Sequence, residues 1–143
     1  MKIFISIFSG TFTGVIAMSF LEMAVQSLYP YPEGISKMTP GLLEEYLKEG
    51  HRMGLIAILF VMIAGNFLSG FISSLVANEK SPLPPILCSF ILMLMSSINL
   101  LMIHHPFFYS ALSVLLPIPS GLLGFWIQIK FFPRNLDIQN NLK

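Results

Sequence analysis

Four apolar stretches, separated by short polar segments, dominate the pattern along the chain. They cover residues 3–28, 53–77, 86–103 and 108–132. A helix needs about 20 mostly apolar residues to cross about 30 Å of hydrocarbon. The first, second and fourth stretches exceed that length and the third is close to it. None carries the charged face that a helix on a soluble protein keeps. We therefore expect an all-α integral membrane protein, with residues 1–143 forming one bundle of four transmembrane helices.

The loop between the first two stretches has a pattern of its own. Residues 29–34 contain two prolines and a glycine, which favour an extended turn over a helix. Thr39 followed by Pro40 is typical of a helix start, and Gly50 is typical of a helix end. Apolar and charged positions in between fall on different faces. This predicts a short amphipathic surface helix at about residues 40–49, either a simple connector over the bundle or a lid or docking element.

Composition supports the membrane assignment and removes several classes of function. Apolar residues make up 55% of the chain and charged residues 10%, whereas soluble proteins carry charge on about a quarter of their positions. A net charge of +1 gives no support to nucleic-acid binding. The single cysteine, Cys88, excludes an intrachain disulfide or a cluster of thiolate ligands. With no nucleotide-binding glycine motif either, we expect no cofactor, and the lipid bilayer is the partner that the composition implies.

The charges between the stretches indicate an orientation. Four crossings place both termini and the loop at 78–85 on one side, side A, and the loops at 29–52 and 104–106 on the other, side B. Lysine and arginine favour the cytoplasmic side. Side A has five of these residues and side B three. We expect a multi-pass protein of the cell membrane, in a bacterium the inner membrane, with cytoplasmic termini.

Small and weakly polar residues recur at helical spacing on all four stretches. Because hydrocarbon gives no hydrophobic drive for helices to associate, such residues mark the faces at which helices pack. On the first stretch the predicted inward stripe is Thr11, Ser19, Glu22 and Gln26. The positions predicted to pack most closely are Gly10, Gly14, Asn66, Gly70 and Gly124. The Gly10/Gly14 pair also suits a homodimer or a larger membrane complex.

Glu22 is the one ionisable residue well inside a predicted span. It lies six residues before Leu28, which is about 9 Å below side B at 1.5 Å per residue. Alternating helix directions bring further polar residues toward the same side. The candidate functional cluster is Glu22, Asn99, His51, Arg52, His104 and His105.

Three specific interpretations of Glu22 follow, together with one further structural alternative. Its carboxylate could couple to a proton or cation, form a structural ion pair with Arg52, or join the histidines at a divalent metal. The metal is the weakest of these, because no HExxH spacing occurs and the adjacent side chains of His104 and His105 diverge, so we expect no metal site. The structural alternative is a protonated Glu22 bonded to Asn99 or Asn66. Pro117, inside the fourth stretch, predicts a kink or break, and a broken helix can also build a binding site.

The chain resembles a group of small, uncharacterised four-span bacterial membrane proteins. The resemblance lies in Glu22, in the Tyr-Pro-Tyr-Pro-Glu-Gly turn at 29–34, and in the Asn-Leu-Leu-Met-Ile-His-His-Pro segment at 99–106. It implies a four-helix fold and no established activity. Small multidrug transporters also combine four spans with an acid in the first helix, but their acid lies earlier and their loops are shorter.

The sequence shows these helix-packing patterns but no set of residues typical of a catalytic site. The first expectation is therefore a non-enzymatic accessory or assembly subunit, or an orphan four-helix bundle. The alternative is a small proton- or cation-coupled transporter or channel that uses Glu22. A membrane enzyme using Glu22 and the histidines comes third.

Overall fold

The computed structural model describes residues 1–30, 52–77, 81–102 and 105–132. These residues form five helices and contain no strand. The helices are α1 (Lys2–Leu28), α2 (Arg52–Ala77), α3 (Leu83–Met102), α4 (Phe107–Leu115) and α5 (Pro117–Phe131). The predicted surface helix at 40–49 lies outside the described residues.

Three helical segments are long and apolar enough to cross a membrane: Lys2–Leu28, Met53–Ala77 and the continuous segment Phe107–Phe131. The third apolar stretch forms the 20-residue helix α3, whose uninterrupted apolar part is Leu83–Ile98. The described chain is thus all-helical, and each apolar stretch of the sequence contains a helix.

Helix α3 begins three residues before the predicted stretch, although Pro84 and Pro85 follow its first residue. Proline is tolerated in the first turn because the N–H groups there have no intrahelical acceptor. The Ser81 hydroxyl accepts a hydrogen bond from the Leu83 N–H at 3.3 Å and so caps the helix. The proline pair therefore starts the helix and does not delay it.

The fourth segment is interrupted at Leu116. Its φ of −79° and ψ of −28° are right-handed helical values, so α4 and α5 continue with little change of direction. Pro117 has no N–H, and the carbonyl of Ser113 therefore loses its intrahelical donor. The Ser120 hydroxyl donates to the carbonyls of Leu116 and Pro117, both at 2.8 Å. The break is local and the helix otherwise continues, but Pro117 and Pro119 leave the carbonyls of Ser113 and Leu115 without their helical donors.

Helix α2 is the centre of the bundle and contacts all four of the other helices. Its glycine and serine positions allow this. A Cβ atom added to Gly70 would overlap the Gly121 backbone of α5, and one added to Gly124 would overlap the Phe67 carbonyl of α2. Backbones in contact at these points leave no room for any side chain. At these contacts between α2 and α5, Gly70 and Gly124 are therefore held to glycine.

The inward face of α1 differs from the predicted one. Ser6, Gly10 and Gly14 are its buried residues, whereas Ser19 and Gln26 are exposed and Thr11 is half-buried. The two glycines lie against Ser69 of α2, so the chain's own helix covers the pair proposed above for a dimer. Residue size, and not polarity, determines which residues of α1 pack against α2. Ser19 is polar, but its hydroxyl already donates to the Val15 carbonyl at 3.0 Å. A serine bonded to its own backbone needs no neighbouring helix.

Polar side chains are enclosed where α1, α2, α3 and α5 meet. The Ser74 hydroxyl donates to Oε1 of Gln128 at 2.6 Å, which joins α2 to α5 within the bundle. The Cys88 thiol of α3 lies 3.4 Å from the Ile7 carbonyl of α1. Five buried oxygens have no hydrogen-bond partner in the described part of the chain: Ser6 Oγ, Thr11 Oγ1, Asn66 Oδ1, Ser69 Oγ and Ser89 Oγ. We call this region the serine-glycine seam; it extends from Asn66 toward the end of the bundle where α1 begins.

Candidate functional site

A partly open cavity of about 120 Å³ lies at the opposite end of the bundle, where α1 ends and α2 begins. All four apolar stretches contribute to its walls. The lining residues are Met18 and Glu22 of α1, Ile58, Val61 and Met62 of α2, Ser96 and Leu100 of α3, and His105, Tyr109 and Ser113 in and before α4. Five of these ten lining residues are polar and five are apolar. We call it the Glu22 pocket.

Glu22 supplies the only carboxylate in this lining. Its side chain is half-buried, and it forms no hydrogen bond or ion pair with the part of the chain that the structure describes. A carboxylate below the surface of an apolar bundle is costly unless a donor or cation meets it. Its position on an open cavity gives such a partner access.

His105 and Tyr109 form the aromatic part of the lining. Their rings stack with centroids 4.8 Å apart and an interplanar angle of 18°. Tyr109 is buried among Leu55, Leu59 and Met62 of α2. This packing makes the aromatic pair a rigid wall of the pocket. The side chains of α2 and the histidine ring together hold the tyrosine ring in place.

Ser113 brings the helix break to the pocket. The Ser113 hydroxyl donates to the Tyr109 carbonyl at 2.7 Å. The carbonyl of Ser113 itself has no intrahelical donor, because Pro117 lacks the N–H group that would reach it. Carbonyls freed by broken transmembrane helices are acceptors that other membrane proteins use to hold cations. The pocket therefore combines a carboxylate, two serine hydroxyls and one residue with a freed carbonyl.

Two methionines separate the pocket from the serine-glycine seam. Met18 lines the pocket and packs on Gly65, so that a Cβ added there would overlap its side chain. Met62 lines the pocket too, and its carbonyl accepts a hydrogen bond from Nδ2 of Asn66 at 2.9 Å. Counted from Arg52, Met62 lies about 15 Å into the bundle. The Glu22 pocket is thus one-sided, open at one end and closed by closely packed helices beyond its floor.

The candidate cluster is only partly described by the structure. Glu22 and His105 line the same pocket. His51 and His104 lie outside the described residues, and the side chains of Arg52 and Asn99 are not described either. Over residues 1–30, 52–77, 81–102 and 105–132, no three His, Cys, Asp or Glu side chains come together in a way that could hold a metal ion.

The structure adds pocket residues that were not predicted, above all Tyr109, Met18 and Met62. Tyr109 follows His105 by four residues, the spacing at which rings stack along a helix, and this was the available signal. Nothing distinguished the two methionines from other apolar residues. Ser96 and Ser113 are among the small, weakly polar residues that recur along the stretches, a pattern that predicted helix packing and not a pocket.

The surface outside the pocket defines the class of protein. Large apolar side chains cover the outer face of α1, with Phe4, Phe8, Phe12 and Phe20 all more than half exposed. Water would not support so continuous an apolar surface, whereas lipid would. The part of the chain that the structure describes is all-helical and includes three helices long and apolar enough to span the bilayer, which indicates a membrane-embedded protein. No protein-family model, curated protein or solved structure matches it.

Proposed function

We propose that α3 forms a fourth crossing and that the protein is a multi-pass protein of a bacterial inner membrane with cytoplasmic termini. Twenty helical residues extend about 30 Å, the thickness of the hydrocarbon layer. The Lys130 ammonium lies 4.6 Å from the Trp126 ring centre near the end of α5, a pairing that suits the headgroup region. Lys2 begins α1 at the same end, in agreement with the excess of positive charge predicted for side A.

Single cysteines test this topology. In a Cys88→Ser background, Tyr29→Cys and Phe107→Cys are expected to react with a membrane-impermeant maleimide in intact spheroplasts. Ser81→Cys is expected to react only after permeabilisation, because α3 separates Ser81 from Phe107. Equal accessibility at 81 and 107 would remove the fourth crossing. The reverse pattern would keep four crossings and invert the orientation.

We propose that the protein is a small cation-coupled transporter whose substrate site is the Glu22 pocket. The observation that carries this proposal is the Glu22 carboxylate, which has no partner among the described residues and lines an open cavity inside an apolar bundle. A cation there would neutralise a charge that none of the described side chains compensates. The freed carbonyl of Ser113 and the Ser96 hydroxyl would add acceptors.

The one-sided shape of the pocket supports a transporter over an open channel. A channel needs a continuous path, and here the floor at Met18 and the serine-glycine seam close one half of the bundle. A site open to one side is one state of an alternating-access cycle. The Leu116 interruption lies beside the pocket and gives the fourth segment a point at which to bend.

Purified protein in liposomes tests the proposal. An inward gradient of a transported cation is expected to give a saturable uptake or a transient current that is absent from empty liposomes. The cations to compare are Na⁺, K⁺ and small ammonium ions. Folded, helical protein with no flux for any of them would overturn the transporter.

The same closed seam favours a second candidate, a non-transporting accessory or assembly subunit. Backbone contacts such as Gly70 with Gly121 resist the rearrangement that transport requires. For that function we expect no flux from the purified protein, and co-purification of a defined membrane complex from gently solubilised cells.

Restoring the missing backbone donor is expected to weaken the site. Pro117→Ala supplies an N–H to the Ser113 carbonyl, so affinity for the transported cation should fall about five- to tenfold, the value of roughly one net hydrogen bond. Thermal stability should change little, because the hydrogen bond that the helix gains offsets the packing lost with the buried Pro117 ring. Calorimetric titration and thermal unfolding measure the two effects.

Pro119→Ala is the matched control for this change. Pro119 is exposed, and the carbonyl that it frees belongs to Leu115, which does not line the pocket. Its affinity should therefore equal that of the unsubstituted protein. Equal losses in both variants would show that helix bending, and not the Ser113 carbonyl, controls binding.

A further inference from the structure

The pocket's lining also indicates what kind of cation it takes. Five of its ten lining residues are apolar, and they come from three helices: Met18, Ile58, Val61, Met62 and Leu100. An inorganic cation such as Na⁺ or Ca²⁺ replaces its hydration shell with oxygen atoms on all sides. Here the side-chain oxygens come from α1, α3 and α4, and all three residues that α2 contributes are apolar. The α2 wall offers thioether and aliphatic surface, to which a bare ion gains nothing by binding.

The size of the cavity limits the ligand. An engineered protein cavity of about 150 Å³ accepts benzene, which has six non-hydrogen atoms. A cavity of about 120 Å³ therefore accommodates about four to six such atoms. That is room for a charged group and a short hydrocarbon chain, and too little for a drug-sized molecule.

The polar part of the lining favours a group that donates several hydrogen bonds. A primary ammonium has three N–H donors. The pocket offers the Glu22 carboxylate and the Ser96 hydroxyl as acceptors, together with Ser113, whose carbonyl has lost its helical donor. A quaternary ammonium has the same charge and no donor, so it would leave these acceptors unused.

We propose that the Glu22 pocket binds a short-chain primary alkylammonium, with the ammonium at Glu22 and the alkyl chain against Met62 and Val61. This proposal rests on the cation function proposed above and narrows it to one chemical class. The methionine side chains suit a series of related chains, because unbranched thioethers adapt to differently shaped apolar groups.

Titration of the purified full chain with n-alkylammonium chlorides tests the proposal. Affinity is expected to rise about fourfold for each methylene from methyl to propyl, as burial of one CH₂ implies. It should level off once the chain fills the cavity. Tetramethylammonium and Na⁺ should bind at least tenfold more weakly than propylammonium. Glu22→Gln should weaken binding of the whole series roughly 10- to 150-fold, with Ser19→Ala, an exposed position on the same helix, as its control.

Enlarging the apolar part of the Glu22 pocket provides a second, independent test of the proposal. Met62→Ala is expected to shift the preferred chain to one about two or three carbons longer, and Leu100→Ala, at a half-buried position, serves if Met62→Ala does not fold. Glu22-dependent binding of Na⁺ without alkylammonium binding would overturn this ligand class and leave the cation function intact. Equal affinity for tetramethylammonium would overturn the role of the donors. No Glu22-dependent binding of any cation would overturn both proposals.

Discussion

Gly70→Ala is expected to destabilise the bundle by about 3 kcal/mol or more, at or beyond the upper end of the usual cost of overpacking. The added Cβ would lie 2.8 Å from the Gly121 Cα and 2.7 Å from its carbonyl carbon, and closer still to the carbonyl oxygen. Backbone atoms cannot rotate out of the way as a flexible side chain can. Helices α2 and α5 would have to separate along their contact, which includes Gly124 against Phe67.

The same helix offers a matched control in Gly54→Ala. A Cβ at Gly54 would meet only the Tyr29 side chain, at 3.7 Å, which is ordinary van der Waals contact. Alanine is also the better helix former, so the variant should be neutral or more stable by up to about 1 kcal/mol. Thermal unfolding in detergent and size-exclusion profiles measure both variants. Similar stabilities for the two would mean that α2 and α5 do not touch at Gly70.

Glu22→Gln is expected to lower cation affinity and transport roughly 10- to 150-fold, corresponding to the loss of a charge-assisted interaction of about 1.5–3 kcal/mol. Glutamine has the same shape and keeps one acceptor oxygen, so the pocket volume and α1 should be unchanged. The fold should tolerate the change, because Glu22 bonds to none of the described residues. Uptake in liposomes and calorimetric titration measure the loss.

Two further variants separate charge from packing. Glu22→Asp keeps the carboxylate on a shorter side chain and should recover part of the activity. Ser19→Ala should retain full activity, since its hydroxyl donates to the Val15 carbonyl and the exposed side chain does not line the pocket. Full transport by Glu22→Gln would be evidence against the carboxylate as the coupling group.

Apolar length was enough to place the helices. Stretches of 18 or more apolar residues allow few other structures, because a backbone in hydrocarbon must satisfy its own hydrogen bonds. The helix limits depart from the predicted stretches mainly at α3, where a proline pair starts a helix instead of preceding it. The interruption at Pro117 was predicted as a kink or break, and Leu116 shows why it remains nearly straight.

The faces of the helices were harder to derive than their positions. On α1 polarity suggested Thr11 and Ser19, whereas size selected Ser6, Gly10 and Gly14. A hydroxyl that bonds to its own helix carries little information about its neighbours. The pocket could be predicted only through Glu22 and His105. Which apolar side chains surround them depends on how the helices are rotated, and that rotation is set by glycine contacts between residues far apart in sequence.

The central position of α2 has a consequence for how the chain assembles during synthesis. Its longest partner, α1, precedes it, so this hairpin can form as soon as both helices have left the ribosome. The face of α2 that carries Gly70 and Ser74 receives its partner only when α5, the last helix of the described chain, has been made. Until then those polar positions face lipid, α3 or the insertion machinery. A chain interrupted before α5 would therefore contain α1 to α4 and an incomplete α2 interface, a form that membrane quality-control proteases could recognise.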